Sequence, residues 1–378
     1  MKGTGLTDTK TPTAPPKIIR IAQKIGRALS APIIEQGFTP APSYLFLELI
    51  RRCPHRCNMC NIWKEGTDGM PLAEIERIFS HRLFDGLERV ILTGGEPTSR
   101  KDIGEIGRFF ARRLPKLNML AVLTTGYGSK KVLAATRELL TALAEHPGSP
   151  KLVVQVSFDG IGETYNTIRN VRKAWEETKA TVAQLQELRA SEPNLEVMLH
   201  CVIQPLNVAE LDDVAAYAQA RKLPVLYSLA VISDTYFGNA DIGERFAFTP
   251  EETARVQAFL LKQDQGYGAE MTLYYEDLAA MLGGAPRGRR CMMGYHMIYV
   301  RMDGKVFPCV NSGDLVLGDL TCEEPDVVWF GRDANSKRRL VRQNHCPTCA
   351  SACYSDLSGV KELWAAAKLK FRHRGIRP

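Results

Sequence analysis

Three cysteines stand close together early in the chain, in Cys53-Pro-His-Arg-Cys57-Asn-Met-Cys60. The spacing is C-x3-C-x2-C. A loop of that length can wrap three thiolates around one face of a cubane iron–sulfur cluster, and soft thiolates suit iron. Three ligands for four irons leave one iron open to bind a substrate. The same count argues against structural zinc, which takes four closed ligands. His55, inside the loop, is read as a neighbour of the site rather than a ligand. A second group lies downstream: Cys291, Cys309 and Cys346-x2-Cys349-x3-Cys353. There zinc stays open beside iron–sulfur, because Cys346-x2-Cys349 suits either. Cys201 and Cys322 fall outside both groups and are expected to be structural.

The rest of the composition narrows the class. The chain has 378 residues, 45% of them apolar and 24% charged, which is ordinary globular usage. Ten uneven cysteines in such a chain point to metal rather than to a disulfide framework. No stretch approaches the ~18–20 continuous apolar residues of a membrane helix. No secretory signal pattern opens the sequence, since Lys24 and Arg27 interrupt the first apolar stretch. A cytoplasmic enzyme is expected. A net charge of +7 is too weak a bias to argue for nucleic acid.

Elements must position these thiols. Residues 1–16, rich in Thr, Pro and Gly, read as a disordered leader. Ile18, Ile21, Ile25 and Leu29 recur at helical spacing among Lys and Arg, which predicts a basic amphipathic helix and linker over 17–43. That helix packs on the main domain or touches a membrane surface. Strands are predicted at Tyr44–Ile50, Arg89–Thr93, Asn118–Thr124, Leu152–Ser157, Glu196–Val202 and Val225–Ala230. Helical patterns fall between them, near 71–82, 101–114, 129–146, 172–190 and 207–221. This alternation predicts parallel βα units and an α/β fold: a partial (β/α)6 TIM-like barrel over 44–230. Chemistry then belongs at the C-terminal ends of the strands, and Cys53 directly follows the first one. A helical bridge is expected over 231–284. A small cysteine-rich α+β module occupies 285–357, with a hairpin turning at Asp303-Gly304. A basic helical tail closes the chain at 358–378.

The cysteine loop after the first strand resembles the signature of the radical S-adenosylmethionine (SAM) superfamily. Later strand ends agree in order. Thr93-Gly94-Gly95-Glu96-Pro97 is similar to the family's GGE motif, which holds the methionine amino group. Thr124-Thr125-Gly126 resembles the polar turn after the third strand. Ser157-Phe158-Asp159-Gly160 resembles the segment whose Ser or Asp touches ribose or methionine. Arg169 is similar to the Arg that pairs with the methionine carboxylate, and Asn207 sits where relatives place a residue near adenine. The resemblance thus implies cofactor contacts by Gly94, Gly95, Glu96, Thr125, Ser157, Asp159, Arg169 and Asn207. One departure is Met59, where the family usually has an aromatic residue; Trp63 or Tyr127 could supply that ring.

The second group resembles the family's SPASM or shortened twitch extension. This implies one auxiliary [4Fe-4S] cluster on Cys291, Cys309 and two of Cys346, Cys349 and Cys353. By resemblance, the reduced first cluster cleaves SAM to a 5′-deoxyadenosyl radical that takes a hydrogen atom from substrate. Tyr236, Tyr295 and Cys322 are candidate donors of a returning hydrogen, or simply packing residues. Val310 stands where sulfatase-maturing relatives have an acid. Too few residues precede the first strand for a winged leader-binding domain. A small-molecule substrate in a tailoring pathway is therefore expected, undergoing oxidation or epimerisation. The alternatives are a maturase of a ribosomal peptide and a non-catalytic metal scaffold. The basic run Arg287–Arg290 is read as a solvated loop, or else as a landing place for an anionic substrate or an acidic flavodoxin or ferredoxin.

Overall fold

The computed structural model describes residues 38–263, 269–288, 291, 293–341 and 349–351. The expected leader, nearly all of the amphipathic helix and linker, Cys346, Cys353 and the basic tail lie outside the described residues.

Six parallel strands form in chain order. They are β1 (Tyr44–Ile50), β2 (Arg89–Gly94), β3 (Met119–Thr124), β4 (Lys151–Ser157), β5 (Leu195–Ile203) and β6 (Val225–Leu229). Helices cross between them: α1 (Leu72–Phe79), α2 (Ile103–Arg113), α3 (Ser129–Leu143), α4 (Gly162–Arg169), α5 (Ala174–Ser191) and α6 (Leu211–Ala220). This is the expected partial α/β barrel. A bridge follows, with α7 (Pro250–Lys262) and α8 (Ala269–Leu282). Thr249 and Glu252 start α7 with a reciprocal capping box, and Pro250 occupies its first turn.

Each strand has two unlike faces. Leu45, Leu47, Val90, Leu92, Leu120, Val122, Leu152, Val154, Leu199 and Cys201 are fully buried. They share one core with Ile75, Phe110, Val132 and Leu185 of the covering helices. The alternate residues form the other face. Phe46, Ile91, Leu123, Gln155, Ser157, Met198, His200 and Leu226 are only half-buried. Register aligns them across the sheet, with Gln155 opposite Met198 and Ser157 opposite His200. A parallel sheet covered on one side and curved on the other thus keeps an accessible inner wall.

The C-terminal module is not a separate body. Its hairpin strands, β7 (Met297–Val300) and β8 (Lys305–Phe307), turn at Asp303-Gly304, where Gly304 has φ +84°. β7 pairs in parallel with β1, Tyr44 opposite Met297 through Leu47 opposite Val300. With the two-residue β9 (Gly318–Asp319) the sheet reaches nine strands, ordered β6-β5-β4-β3-β2-β1-β7-β8-β9. Helices α9 (Pro325–Phe330) and α10 (Arg332–Leu340) complete the described part. The sequence reading gave neither the shared sheet nor β9, α4, α9 and α10.

Candidate functional site

The loop after β1 is clamped onto the end of β2. Gly95 donates its N–H to the Ile50 carbonyl at 2.6 Å, and Glu96 donates to the Arg52 carbonyl at 3.0 Å. The approach is so close that a Cβ on Gly94 would overlap the Ile50 carbonyl, and one on Gly95 the Arg52 carbonyl. Gly94 also has φ +124°, which only glycine adopts without strain. From the other side, Arg56 and Asn58 donate to the carbonyls of Arg169 and Ile168 at the end of α4. The cysteine loop is thus held between the glycine pair and α4.

Glu96 is 2% exposed and accepts five hydrogen bonds. Oε1 takes Thr98 N (3.2 Å), Thr98 Oγ1 (2.6 Å) and Thr124 Oγ1 (2.9 Å). Oε2 takes Thr125 N (2.7 Å) and Thr125 Oγ1 (2.6 Å). The carboxylate therefore ties the ends of β2 and β3 together, and the Thr125 hydroxyl is engaged with it.

Asp159 and Arg169 form a fully buried ion pair. Asp159 Oδ1 also accepts Val202 N at 2.8 Å, and Arg169 Nη1 lies 3.5 Å from Cys57 Sγ. Burial alone would lower the Arg169 pKa, but Asp159, and after it the Cys57 thiol, raise it above its usual value. Arg169 is accordingly no surface charge, and its Nε has no hydrogen-bond partner among the described residues. Asn207 is also buried and engaged. Its amide donates to the carbonyls of Asp159 and Val202, both at 2.8 Å, and accepts from Gln204 N at 2.9 Å. The Asn207 side chain thus braces the loops after β4 and β5. Ser157 keeps its place on the half-buried inner wall. Next to it, His200 Nε2 lies 2.8 Å from Ser228 Oγ, a pair the sequence reading did not single out. The signal was present: both are polar residues at inner-wall positions of apolar strands.

Three thiols on one short loop are a donor set that suits a cubane cluster. Cys57 is buried, while Cys53 and Cys60 are half-buried. Burial and then the Cys57 charge push Cys60 up to about 12, and burial and then Cys57 and Glu96 push Cys53 up. The three thiols are thus near enough to feel one another, and metal binding must displace their protons. Among the described residues no group of His, Cys, Asp or Glu converges tightly enough for a single metal ion. A cubane asks for less convergence, since each thiolate ligates its own iron. His55 is 1% exposed, packs edge-on against Tyr127 with ring centroids 5.3 Å apart, and is pushed down to about 3 by burial and then by Arg169. Met59 packs with Cys57 and Ile168, so an apolar thioether fills the place expected of a ring. Trp63 donates to the Cys60 carbonyl at 3.0 Å.

A buried polar network beneath the loop escaped the sequence reading. Glu48 of β1 is 0% exposed and accepts from Arg51 Nε at 2.7 Å and from Tyr299 Oη of β7 at 2.6 Å. Arg51 continues to Glu65 and to the Thr235 carbonyl. Tyr236 Oη meets Thr93 Oγ1 at 2.6 Å, and its ring packs on Tyr299. The one available signal was a lone acid in an otherwise apolar strand, three residues before an Arg.

The second group assembles in part. Burial, with a smaller push from Cys349, raises Cys291 to about 11. Asn311 lies against both Cys309 and Cys349, its N–H groups 3.4 and 3.7 Å from the sulfurs. Cys201 is fully buried in β5, in keeping with a structural role. Cys322 is exposed at a turn beside the Asp319 carbonyl, so it is not the packing residue expected.

Comparison with known proteins agrees with this geometry. Residues 47–218 match the radical SAM superfamily, and residues 291–354 match SPASM, an iron–sulfur cluster-binding domain. The chain is 26% identical over 332 residues to a PqqA peptide cyclase of Rhodopseudomonas palustris, covering 82% of this chain and 79% of that one. It is 28% identical over 306 residues to a PqqA peptide cyclase of Methylobacterium sp., covering 76% and 74%. Among solved structures, Streptococcus suis SuiB bound to the precursor peptide SuiA superposes with a TM-score of 0.58 at 12% identity, covering 95% of this chain and 80% of that one. The protein anSMEcpe with bound AdoMet and the Kp18Cys peptide superposes at 0.56 and 14%, covering 88% and 97%. The chain thus carries a radical SAM domain over residues 47–218 followed by a SPASM module over residues 291–354.

Proposed function

We propose that this radical SAM enzyme modifies a peptide. The small-molecule substrate expected from the short stretch before β1 gives way, because the relatives aligned over most of the chain are named peptide cyclases. Solved structures that share the fold hold peptides as well. The peptide rests on those relatives; the radical chemistry rests on the clamp of the cysteine loop onto Gly94-Gly95. It sets three thiols beside a glycine-lined backbone at the mouth of an accessible inner wall.

Bound there, an iron–sulfur cluster and SAM would supply 5′-deoxyadenosyl radical chemistry. The chain supplies position. Cys53, Cys57 and Cys60 would hold the first cluster. The glycine pair lets backbone come close to an ammonium group. Glu96 and Thr125 act as struts that fix this strand end rather than as direct contacts. Arg169 neutralises charge at Cys57 and keeps Nε for a carboxylate. Ser157, with His200 and Ser228, offers hydroxyl and imidazole groups to the nucleoside or substrate. In the second module, Cys291, Cys309 and Cys349 hold the auxiliary cluster together with Cys346 or Cys353. An acidic flavodoxin or ferredoxin delivers the electron, in the cytoplasm.

The test is anaerobic reconstitution of the full chain with iron, sulfide, dithionite and SAM, offered short peptides encoded beside its gene. Peptide-dependent 5′-deoxyadenosine, deuterium transfer from labelled peptide and loss of two peptide hydrogens are expected. Transfer only from labelled metabolites would return the reading to a small molecule. No 5′-deoxyadenosine with any substrate would point to a scaffold.

A further inference from the structure

Asn311 lies two residues after Cys309 and touches sulfurs from two distant segments. Its backbone N–H points to Cys309 Sγ at 3.4 Å. Its side-chain Nδ2 points to Cys349 Sγ at 3.7 Å, across 38 residues of sequence. Oδ1 is buried and has no hydrogen-bond partner among the described residues. That orientation is the favourable one, because an amide oxygen turned to the sulfur would set lone pairs against a thiolate. Ser312 reinforces the turn: its Oγ accepts from Cys309 N at 3.1 Å and donates to the Cys309 carbonyl at 2.9 Å. Both N–H groups of Asn311 are thereby held toward the two sulfurs. Leaving Oδ1 buried without a partner is costly. The cost is understandable if Nδ2 meets a charged acceptor, which the Cys349 sulfur becomes once metal displaces its proton.

We propose that Asn311 is a positioning residue that raises the reduction potential of the auxiliary cluster by donating hydrogen bonds to its Cys309 and Cys349 thiolates. Reduction adds negative charge to the cluster, and part of it resides on the ligating sulfurs. An N–H aimed at such a sulfur therefore stabilises the reduced form more than the oxidised one, and hydrogen bonds to sulfur are among the factors that set such potentials. One electron enters from a flavodoxin- or ferredoxin-type donor, or from dithionite in the titration; no covalent bond changes, and no proton moves. The inference goes beyond the choice of substrate, and it rests on Cys309 and Cys349 being ligands.

The test uses the full chain carrying Cys53→Ala, Cys57→Ala and Cys60→Ala, so that only the auxiliary cluster is titrated. Redox titration followed by electron paramagnetic resonance compares this protein with its Asn311→Leu variant. At fixed potential the reduced-to-oxidised ratio should fall about threefold or more in Asn311→Leu, about 28 mV for a one-electron couple. Asn311→Gln, which keeps an amide, should fall between. Pulsed resonance on protein labelled with 15N-asparagine should show a nitrogen coupling to the reduced cluster that Asn311→Leu loses. An unchanged potential at full iron content, or no asparagine coupling in the unsubstituted chain, overturns the proposal. If Asn311→Leu fails to hold iron, the labelled chain alone decides. Cys309→Ala and Cys349→Ala test the ligand assignment separately: each should lower bound iron, whatever Asn311 does.

Discussion

Glu96→Gln is nearly isosteric, yet Glu96 sits where an amide cannot be satisfied. Oε1 faces one backbone N–H, that of Thr98, and Oε2 faces another, that of Thr125. Whichever way the glutamine amide turns, its NH2 meets an N–H donor. The threonine hydroxyls can rotate to accept, but the backbone donors cannot. The variant therefore loses a charge-assisted bond and leaves a buried donor unmet. Together these should cost about 2–4 kcal/mol, a large part of a usual total of about 5–15 kcal/mol. Urea unfolding of the metal-free protein, followed by tryptophan fluorescence, should show a lower midpoint at unchanged slope. Thr124→Val, which removes one hydroxyl donor to Glu96 and the acceptor of the Gly126 N–H but leaves both backbone bonds to the carboxylate, should cost about 1–3 kcal/mol. A Glu96→Gln protein within about 0.5 kcal/mol of the parent, below the net worth of a single bond, would show that the carboxylate is not the strut described. SAM affinity of the reconstituted variant should fall as well, because the loosened strand end carries the glycine pair.

Gly95→Ala should displace the cysteine loop, because its Cβ would overlap the Arg52 carbonyl; reconstituted iron should drop while far-ultraviolet circular dichroism stays close to that of the parent. Arg169→Met should destabilise by about 3–5 kcal/mol, since it strands the buried Asp159 carboxylate. Adding Asp159→Asn should recover much of that loss, and a double variant no better than the single would count against the pair. His200 is held down to about 4, mainly by burial and secondarily by Arg169. The unfolded chain therefore takes up a proton at His200 as pH falls through about 6.5, whereas the folded chain resists until about 4. Stability contributed by this residue is present above that window and is lost across it, by up to about 3 kcal/mol. His200→Gln should flatten this part of the acid limb, and an unchanged pH profile would refute the assignment.

Much of the barrel was legible because its strands bury one face completely. Runs such as Tyr44-Leu-Phe-Leu-Glu-Leu-Ile50 stand out against the amphipathic helices between them. Helix α4 was not legible: Gly162-Glu-Thr-Tyr-Asn-Thr-Ile-Arg169 is short and mostly polar, and the N–H groups that meet its last carbonyls come from the distant cysteine loop. The two-residue β9 is too short to carry a pattern. The three cysteines were readable from their spacing, and the glycine pair from its likeness to a family motif at the end of the next strand. The engagements of Glu96, Asp159 and Asn207 were not, since their partners come from other strand ends and only folding brings them together. Glu48 shows the same limit, because its partner Tyr299 is 251 positions away.

The parallel pairing of β7 with β1 has a mechanical outcome. The strand that carries the three-thiol loop is also the seam on which the auxiliary module is stitched. Hinge motion between the two parts would have to tear a hydrogen-bonded ladder that β1 needs for its own alignment. Chimeras that exchange the C-terminal module should therefore tolerate a new partner only when its first strand reproduces the Met297–Val300 register.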